Sequence, residues 1–219
     1  MRYPRGWAYA VAAFGLVQTR SSLPYRLEEQ ILYFADKLME LYRRHSKPGW
    51  LWFEPSLSYS NALLPWGLFW AYETLRKREL LTAAEDSLRF LIRLSTNEQG
   101  QIRPIGNQGW CTPQFRATWD QQPIDVMKLA LAASKAYEIT GSAEYADIVG
   151  RCQAWFHGSN DAGAPLVMEE GGCCDGLGED GPNLNQGAEA VISYLLTEAI
   201  SQEFAERNFR EIAYAAGGY

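Results

Sequence analysis

Three loop-to-helix junctions recur along this chain at intervals of a little over sixty residues, and they constrain its fold more than any single motif. In each junction a Trp- or Gly-rich loop with polar side chains runs into a long apolar segment, over residues 50–62, 119–125 and 171–189. A more polar amphipathic segment lies in each interval, so the repeating unit is a helical hairpin. The repeat predicts an all-α fold, an α/α toroid whose site lies at the mouth of the ring.

The predicted helices are of two kinds. Nearly all-apolar helices are enclosed by neighbours and belong inside the curve, whereas amphipathic helices keep one face in water and belong outside. The predicted inner helices begin near Ser60, Gln121 and Gln186. The predicted outer helices begin near Arg26, Glu79 and Ala143. With the first apolar segment, they make about three and a half hairpins of an incomplete toroid.

The incomplete count leaves three alternatives open. The molecule is an open arc, or another copy or another polypeptide completes its ring, or its first hairpins lie outside this sequence. We assign residues 1–201 to a single toroid domain and residues 202–219 to a polar, then Ala- and Gly-rich tail. The apolar run from Trp7 to Val17 follows two arginines and imitates a signal peptide, but it is too short to span a bilayer. We expect it to form an ordinary buried helix.

Charge and cysteine content exclude several classes of partner. A net charge of -6 without a long Lys/Arg run argues against nucleic acid, and no segment predicts a membrane span. The four cysteines have no paired C-x-x-C spacing, so we expect buried thiols in a cytoplasmic protein rather than a zinc site. A strained disulfide between the adjacent Cys173 and Cys174 is the alternative. The two histidines, His45 and His157, sit near predicted ends of outer helices, and no cofactor or metal ion is expected.

Carboxylates in or just after the junction loops are the candidates for chemistry. Glycoside cleavage needs two such groups, one with a raised pKa that protonates the leaving oxygen and one that activates water or attacks the anomeric carbon. The candidate catalytic residues are Glu54, Asp120, Asp125 and Glu189. Two alternatives stay open: Asp120 is a helix cap, and Glu189 is a solvated surface residue, not one that faces a cavity.

Aromatic and polar side chains of the same loops are the candidates for binding a sugar. Tryptophan rings stack on pyranose faces, although core packing explains each ring equally well when it is taken alone. The candidate substrate-binding residues are Trp52, Tyr59, Asn61, Trp110, Trp119, Gln122, Asp175, Asn185 and Gln186.

The three junctions also carry a family resemblance. The segments Tyr59-Ser-Asn-Ala62, Asp120-Gln-Gln-Pro-Ile-Asp125, and Gly171-Gly-Cys-Cys-Asp175 with Asn185-Gln-Gly-Ala-Glu189 resemble blocks of α/α-toroid domains found beside or fused to bacterial glycosyltransferases. Those domains are similar to the six-hairpin glycosidase superfamily. The likeness covers roughly Gly6 to Ser201 and implies a carbohydrate context. This chain departs from the pattern in lacking early hairpins and an attached transferase domain.

Two hypotheses for function follow. In the first, the chain is an enzyme that binds a saccharide at the loop end and hydrolyses or isomerises it with paired carboxylates. In the second, it is a non-catalytic glycan-binding or accessory domain that partners a glycosyltransferase, and its carboxylates only hydrogen-bond hydroxyl groups. Apolar flanks on the first and last inner helices favour a homo-oligomer or another protein partner.

Overall fold

The computed structural model describes residues 3–20 and 26–216, with side chains to residue 206. Seven helices dominate this part of the chain. They are α1 (Pro4–Arg20), α2 (Glu28–His45), α3 (Leu63–Leu75), α4 (Arg78–Leu94), α5 (Pro123–Thr140), α6 (Ala143–Phe156) and α7 (Ala188–Ala216). The loops add two antiparallel hairpins, β1 (Cys111–Thr112) with β2 (Phe115–Arg116) and β3 (Gly176–Gly178) with β4 (Gly181–Asn183). The prediction of a mostly helical fold is confirmed, and the short hairpins are additions to it.

The helices pack in two layers. In the first layer α1 packs on α3, α3 on α5, and α5 on α7, in chain order. The other three helices cover this row, with α2 against α1 and α3, α4 against α3, and α6 against α5 and α7. Burial is greatest at the centre of the first layer, because α3 and α5 are buried through most of their length whereas α4 buries one face.

Close packing of α1 on α3 depends on one glycine. A Cβ added at Gly67 in α3 would lie 2.8 Å from both Cα and Cβ of Ala8 in α1. Real Cβ atoms do not approach backbone so closely, so only glycine allows this helix spacing. Ala8, Val11 and Ala12 are buried on the same side of α1. The apolar run at the start of the chain is therefore a helix packed on one face.

All three predicted inner helices begin later than the repeat predicts, at Leu63, Pro123 and Ala188. Ser60 has a left-handed backbone, with φ of 48°, so α3 begins only at Leu63, and Pro65 is accommodated in its first turn. Pro123 is the first helical residue of α5, where its missing N–H costs nothing.

The last helix differs in length from the prediction. α7 continues through the predicted boundary at residue 201 to Ala216. Phe204, three residues beyond that boundary, is buried, and its ring lies 5.0 Å from the ring of Tyr137 in α5. This contact explains why a segment of polar composition stays in the helical layer.

The two ends of the first layer expose apolar side chains. On α1 these are Tyr9, Leu16 and Val17, and on α7 they are Ile192, Leu195 and Leu196. None of the helices among the described residues combines the length and the apolar character that crossing a bilayer requires.

Candidate functional site

Arg5 in α1 ties the first junction loop to the first layer of helices. Its Nε donates a hydrogen bond to the carbonyl oxygen of Tyr59 at 2.6 Å, and its terminal nitrogens donate to Glu54 Oε1 at 3.2 Å and Ser58 Oγ at 3.1 Å. The same guanidinium lies 3.0 Å from Glu54 Oε2 in an ion pair. Sequence reasoning missed Arg5, which looked like the flank of an apolar run. Glu54 is therefore a paired carboxylate and not an isolated buried acid.

Asp125 in the first turn of α5 is the buried acid of the site. It is 7% exposed and accepts hydrogen bonds from the backbone N–H groups of Ser60 and Asn61. Among the described residues, its Oδ2 has no hydrogen-bond partner. Burial raises the pKa of Asp125 to about 7; the two hydrogen bonds and the charge of Arg5 act to lower it, and the charge of Glu189 acts to raise it.

Glu189 brings the third junction to the same place. It lies in the first turn of α7 and is exposed to solvent, so the solvated alternative describes its surroundings. Its charge nevertheless acts on Asp125. Charged groups on α1, α5 and α7 thus act on one another at one end of the first layer, and the charge of Glu189 is the smallest of the causes that set the pKa of Asp125.

Two aromatic rings border this cluster. Tyr59 is 55% exposed, and its ring lies 6.4 Å from the ring of Trp110 and 5.1 Å from the guanidinium carbon of Arg5. Trp110 and Trp119 are partly buried. The prediction that Trp52 stacks on a sugar is wrong, because its side chain is fully buried in the core. Tyr59 is consequently the most open aromatic surface beside the acids.

Backbone strain concentrates in the same loops. Among the described residues, four non-glycine residues have a positive φ, between 48° and 60°. Ser60 and Asp120 lie in junction loops, and Trp110 lies in the long loop that precedes the second junction. A left-handed backbone in such residues costs free energy, and it is common at binding sites.

Asp120 occupies a different position from the other acids. Its side chain accepts a hydrogen bond from Gln108 Nε2 at 3.1 Å, and its carbonyl oxygen accepts from Asn107 N–H at 3.2 Å and Gln122 Nε2 at 3.4 Å. The residue before α5 is Gln122, which makes no side-chain cap. The expectation that Asp120 caps this helix is therefore wrong, and its partners place it in the loop that precedes α5.

Residues of the third junction mainly form hydrogen bonds and contacts with one another. Asp175 accepts hydrogen bonds from Asn185 Nδ2 and from the backbone N–H of Gly187, the latter at 2.5 Å. The last helix was expected to begin near Gln186, but α7 begins only at Ala188. The Gln186 side chain lies over Gly172, where a Cβ would come within 1.7 Å of its Oε1. These exposed polar groups shape the loop at the start of α7.

Asn61 also has a structural role. It is buried, its Oδ1 accepts from Ser58 N–H at 3.0 Å, and its Nδ2 donates to the Ser58 carbonyl at 2.8 Å. The same Oδ1 accepts from Arg5 at 3.4 Å. Asn61 therefore orients the loop that carries Tyr59 and leaves no surface for a ligand.

A second polar network joins the loop between α4 and α5 to the loop after α6. The sequence did not predict it. Asp161 accepts hydrogen bonds from Arg103 Nε at 2.8 Å, Gln121 Nε2 at 2.7 Å and Asn97 Nδ2 at 3.0 Å. Burial acts to raise the pKa of Asp161, but these bonds outweigh it and hold the pKa below its usual range. Gln121 also accepts from Trp155 Nε1 at 3.2 Å. Because its donors are satisfied internally, this network fixes the loops and does not present a site.

The cysteines are present as thiols, as the sequence predicts. All four cysteines are free and buried, and burial raises the pKa of Cys173 to about 12. A disulfide between Cys173 and Cys174, which was the alternative, is not formed. Across residues 3–20 and 26–216, no group of three His, Cys, Asp or Glu side chains is arranged to hold a metal ion.

No protein-family model matches the chain, and no curated protein matches it in sequence.

Proposed function

We propose that this chain binds a saccharide where α1, α5 and α7 meet and cleaves or isomerises it there. The observation that carries the proposal is the buried carboxyl group of Asp125, whose pKa is raised to about 7 mainly by burial and least by the charge of Glu189, an exposed carboxyl group. Two carboxyl groups in unlike environments are what acid and base roles at a glycosidic bond require. The exposed Tyr59 ring offers a face for a pyranose.

In this proposal Asp125 is the general acid. With a pKa of about 7 it keeps its proton over the acidic range and gives it to the glycosidic oxygen as the bond to the anomeric carbon breaks. The Glu189 carboxylate either takes a proton from the attacking water or attacks the anomeric carbon itself. An isomerisation would use the same two groups to move a proton. Arg5 holds Glu54 as an ion pair beside them.

The resemblance to α/α-toroid domains supports the same proposal. The alternating layers and the junction loops at one end agree with an arc of such a toroid, and we propose that fold for the chain. In that architecture the junction loops would surround the mouth of the ring, where Tyr59, Asp125 and Glu189 lie.

A non-catalytic role is the second candidate, and one observation favours it. Asp125 already accepts two backbone hydrogen bonds, from Ser60 and Asn61, which is the behaviour of a residue that holds a loop. In this reading the site binds the acceptor glycan of a glycosyltransferase partner, and its carboxyl groups only accept hydrogen bonds from hydroxyl groups.

A panel of oligosaccharides distinguishes the two candidates when binding and product formation are measured on the same samples. The enzyme hypothesis expects turnover that Asp125→Asn and Glu189→Gln abolish. Glu29→Gln, which removes an exposed glutamate from the first turn of the second-layer helix α2, is the matched control and should keep full turnover. Binding without products favours the accessory role, and absence of binding to every saccharide overturns the proposed function.

We further propose that the two ends of the first layer pair head to tail with a second copy of the chain. α1 carries two arginines and no acidic residue, whereas residues 188–206 of α7 carry four glutamates and no lysine or arginine. Both ends expose apolar side chains, and the pairing uses Leu16 and Val17 on α1, two turns from Tyr9, with Leu195 and Leu196 on α7. Apolar surface with complementary charge favours association of α1 in one copy with α7 in another.

A further inference from the structure

Lys128 in α5 is a largely buried lysine and has no ionic partner among the residues that the structure describes. It is 8% exposed, and its ammonium lies 5.2 Å from the centre of the Tyr9 ring. Within the described part of the chain, its ammonium contacts no carboxylate and no hydrogen-bond acceptor. Lys135, two turns further along α5, has Glu73 at 2.8 Å and Glu138 at 3.0 Å. The same helix thus contains one neutralised buried lysine and one that is not.

The position of Lys128 relates it directly to the candidate site. Lys128 follows Asp125 by three residues on α5, and Tyr9 follows Arg5 by four residues on α1. Residues spaced by three or four lie on the same helix face, about one turn, or ~5.4 Å, apart. The Lys128–Tyr9 pair therefore lies one turn deeper along the first layer than Arg5 and Asp125.

The pair opens toward solvent on the side of Tyr9. That ring is 46% exposed, and its only other recorded ring contact among the described residues is an edge-on contact with Trp66 at 6.2 Å. A ligand that reaches Tyr9 from the acids above would come next to the Lys128 ammonium.

Chemistry decides what such a group would bind. The Lys128 ammonium keeps contact with solvent but has no negative charge among its described contacts, and the Tyr9 ring supplies only a weak cation–π attraction. A carboxylate on the ligand would provide two acceptors and the missing negative charge. A phosphate fits less well, because a dianion next to a single ammonium and near Glu189 would be poorly neutralised.

We infer that the saccharide is acidic and that Lys128, supported by Tyr9, binds its carboxylate one helical turn below Asp125. The inference rests on the proposed function and specifies its substrate class as uronate-containing oligosaccharides. Lys128 is a substrate-binding residue in this account and takes no part in proton transfer.

Binding to paired ligands tests it. The probes are short oligosaccharides of glucuronate, galacturonate, mannuronate and guluronate, each with its carboxyl-reduced neutral counterpart, measured by calorimetry. The wild-type protein should bind one acidic probe at least about tenfold more tightly than its reduced form. Lys128→Met, which keeps the apolar stem, should bind both forms equally. Lys37→Met is the control, because Lys37 in α2 also lies over aromatic rings, at 4.8 Å and 5.7 Å, and should keep the preference.

Stability separates binding from a structural role. Since Lys128 has no ionic partner, Lys128→Met should leave the melting temperature unchanged or raise it. A melting temperature lowered by several degrees, with the acid preference intact, would overturn the inference. Equal or better binding of the reduced probes, or preferred binding of a hexose 6-phosphate, by the wild-type protein would also overturn it while leaving the proposed function standing. Absence of binding to all of these probes would also overturn the inference, and the wider oligosaccharide panel would then decide the proposed function.

Discussion

Asp125 is both the acid of the proposed mechanism and a structural acceptor, and the two roles have different pH dependences. Its pKa is raised to about 7 in the folded protein, mainly by burial, from a usual value near 4 in an unfolded chain. The protonated form is therefore favoured by folding. Its stabilising contribution is complete below about pH 4 and declines as the pH rises to 7, because the unfolded chain then loses a proton that the folded chain keeps.

Asp125→Asn should remove this decline. Asparagine keeps an oxygen that accepts the N–H groups of Ser60 and Asn61 but cannot ionise. Relative to the wild type, the free energy of unfolding of the variant should therefore rise between pH 4 and pH 8, by roughly a few kcal/mol. Urea unfolding at a series of pH values measures the difference. A difference that is constant with pH would mean that Asp125 titrates as an ordinary surface acid.

Glu189→Gln should act on the same titration from a distance. Removing the Glu189 charge takes away one cause of the raised pKa of Asp125, so the pKa should fall. The upper limit of the pH range over which stability declines should therefore move to lower pH, while the lower limit, set by the unfolded chain, stays near pH 4. Because Glu189 is exposed, its substitution should cost under about 0.5 kcal/mol at neutral pH. Carboxyl ¹³C NMR titration of Asp125 checks the shift, and an unchanged pKa would show that the two groups do not interact.

Among elements, the contact of α1 with α3 governs the site, because α1 carries Arg5. Gly67→Ala should push the two helices apart, since the new Cβ would meet the backbone of Ala8 at 2.8 Å. Such overpacking costs about 1–3 kcal/mol. The expected loss appears in urea unfolding, together with weaker saccharide binding.

Gly150→Ala in α6 is the matched control for that substitution. It also replaces a helical glycine, but a Cβ there has no atom within 4 Å. The change should stabilise the protein by about 0.5–1 kcal/mol, because alanine is the better helix former. Equal effects of the two substitutions would contradict the close approach of α1 to α3.

The sequence predicted the helices better than the contacts between them. Apolar periodicity placed the inner and outer helices to within a few residues, since it reports which side of an element is buried. It could not place Arg5, whose partners Glu54 and Tyr59 lie about fifty residues away, or distinguish the core tryptophan Trp52 from a ligand-binding ring. Long-range hydrogen bonds leave no periodic signal in a single sequence. The predicted start of α3 was too early, because the left-handed turn at Ser60 also leaves no periodic signal in the sequence.

For the whole molecule, the open ends of the first layer predict self-association. Leu195→Glu on α7 and Leu16→Glu on α1 should each shift the protein from dimer to monomer in sedimentation experiments, because each places a charge on an exposed apolar end. Phe115→Glu, at an equally exposed apolar residue on the β1–β2 hairpin, is the control and should leave association unchanged. A wild-type protein that is monomeric at all concentrations would contradict the proposed pairing.

The two backbone N–H groups that Asp125 receives from Ser60 and Asn61 have a consequence for the timing of a reaction at this site. Both donors bind an ionised carboxylate more strongly than a neutral acid. When Asp125 gives up its proton, the negative charge that develops on it meets donors that are already oriented, and no solvent has to reorganise around it. The loop that carries Tyr59 would therefore be held most firmly just after bond cleavage and would loosen again when the acid is reprotonated.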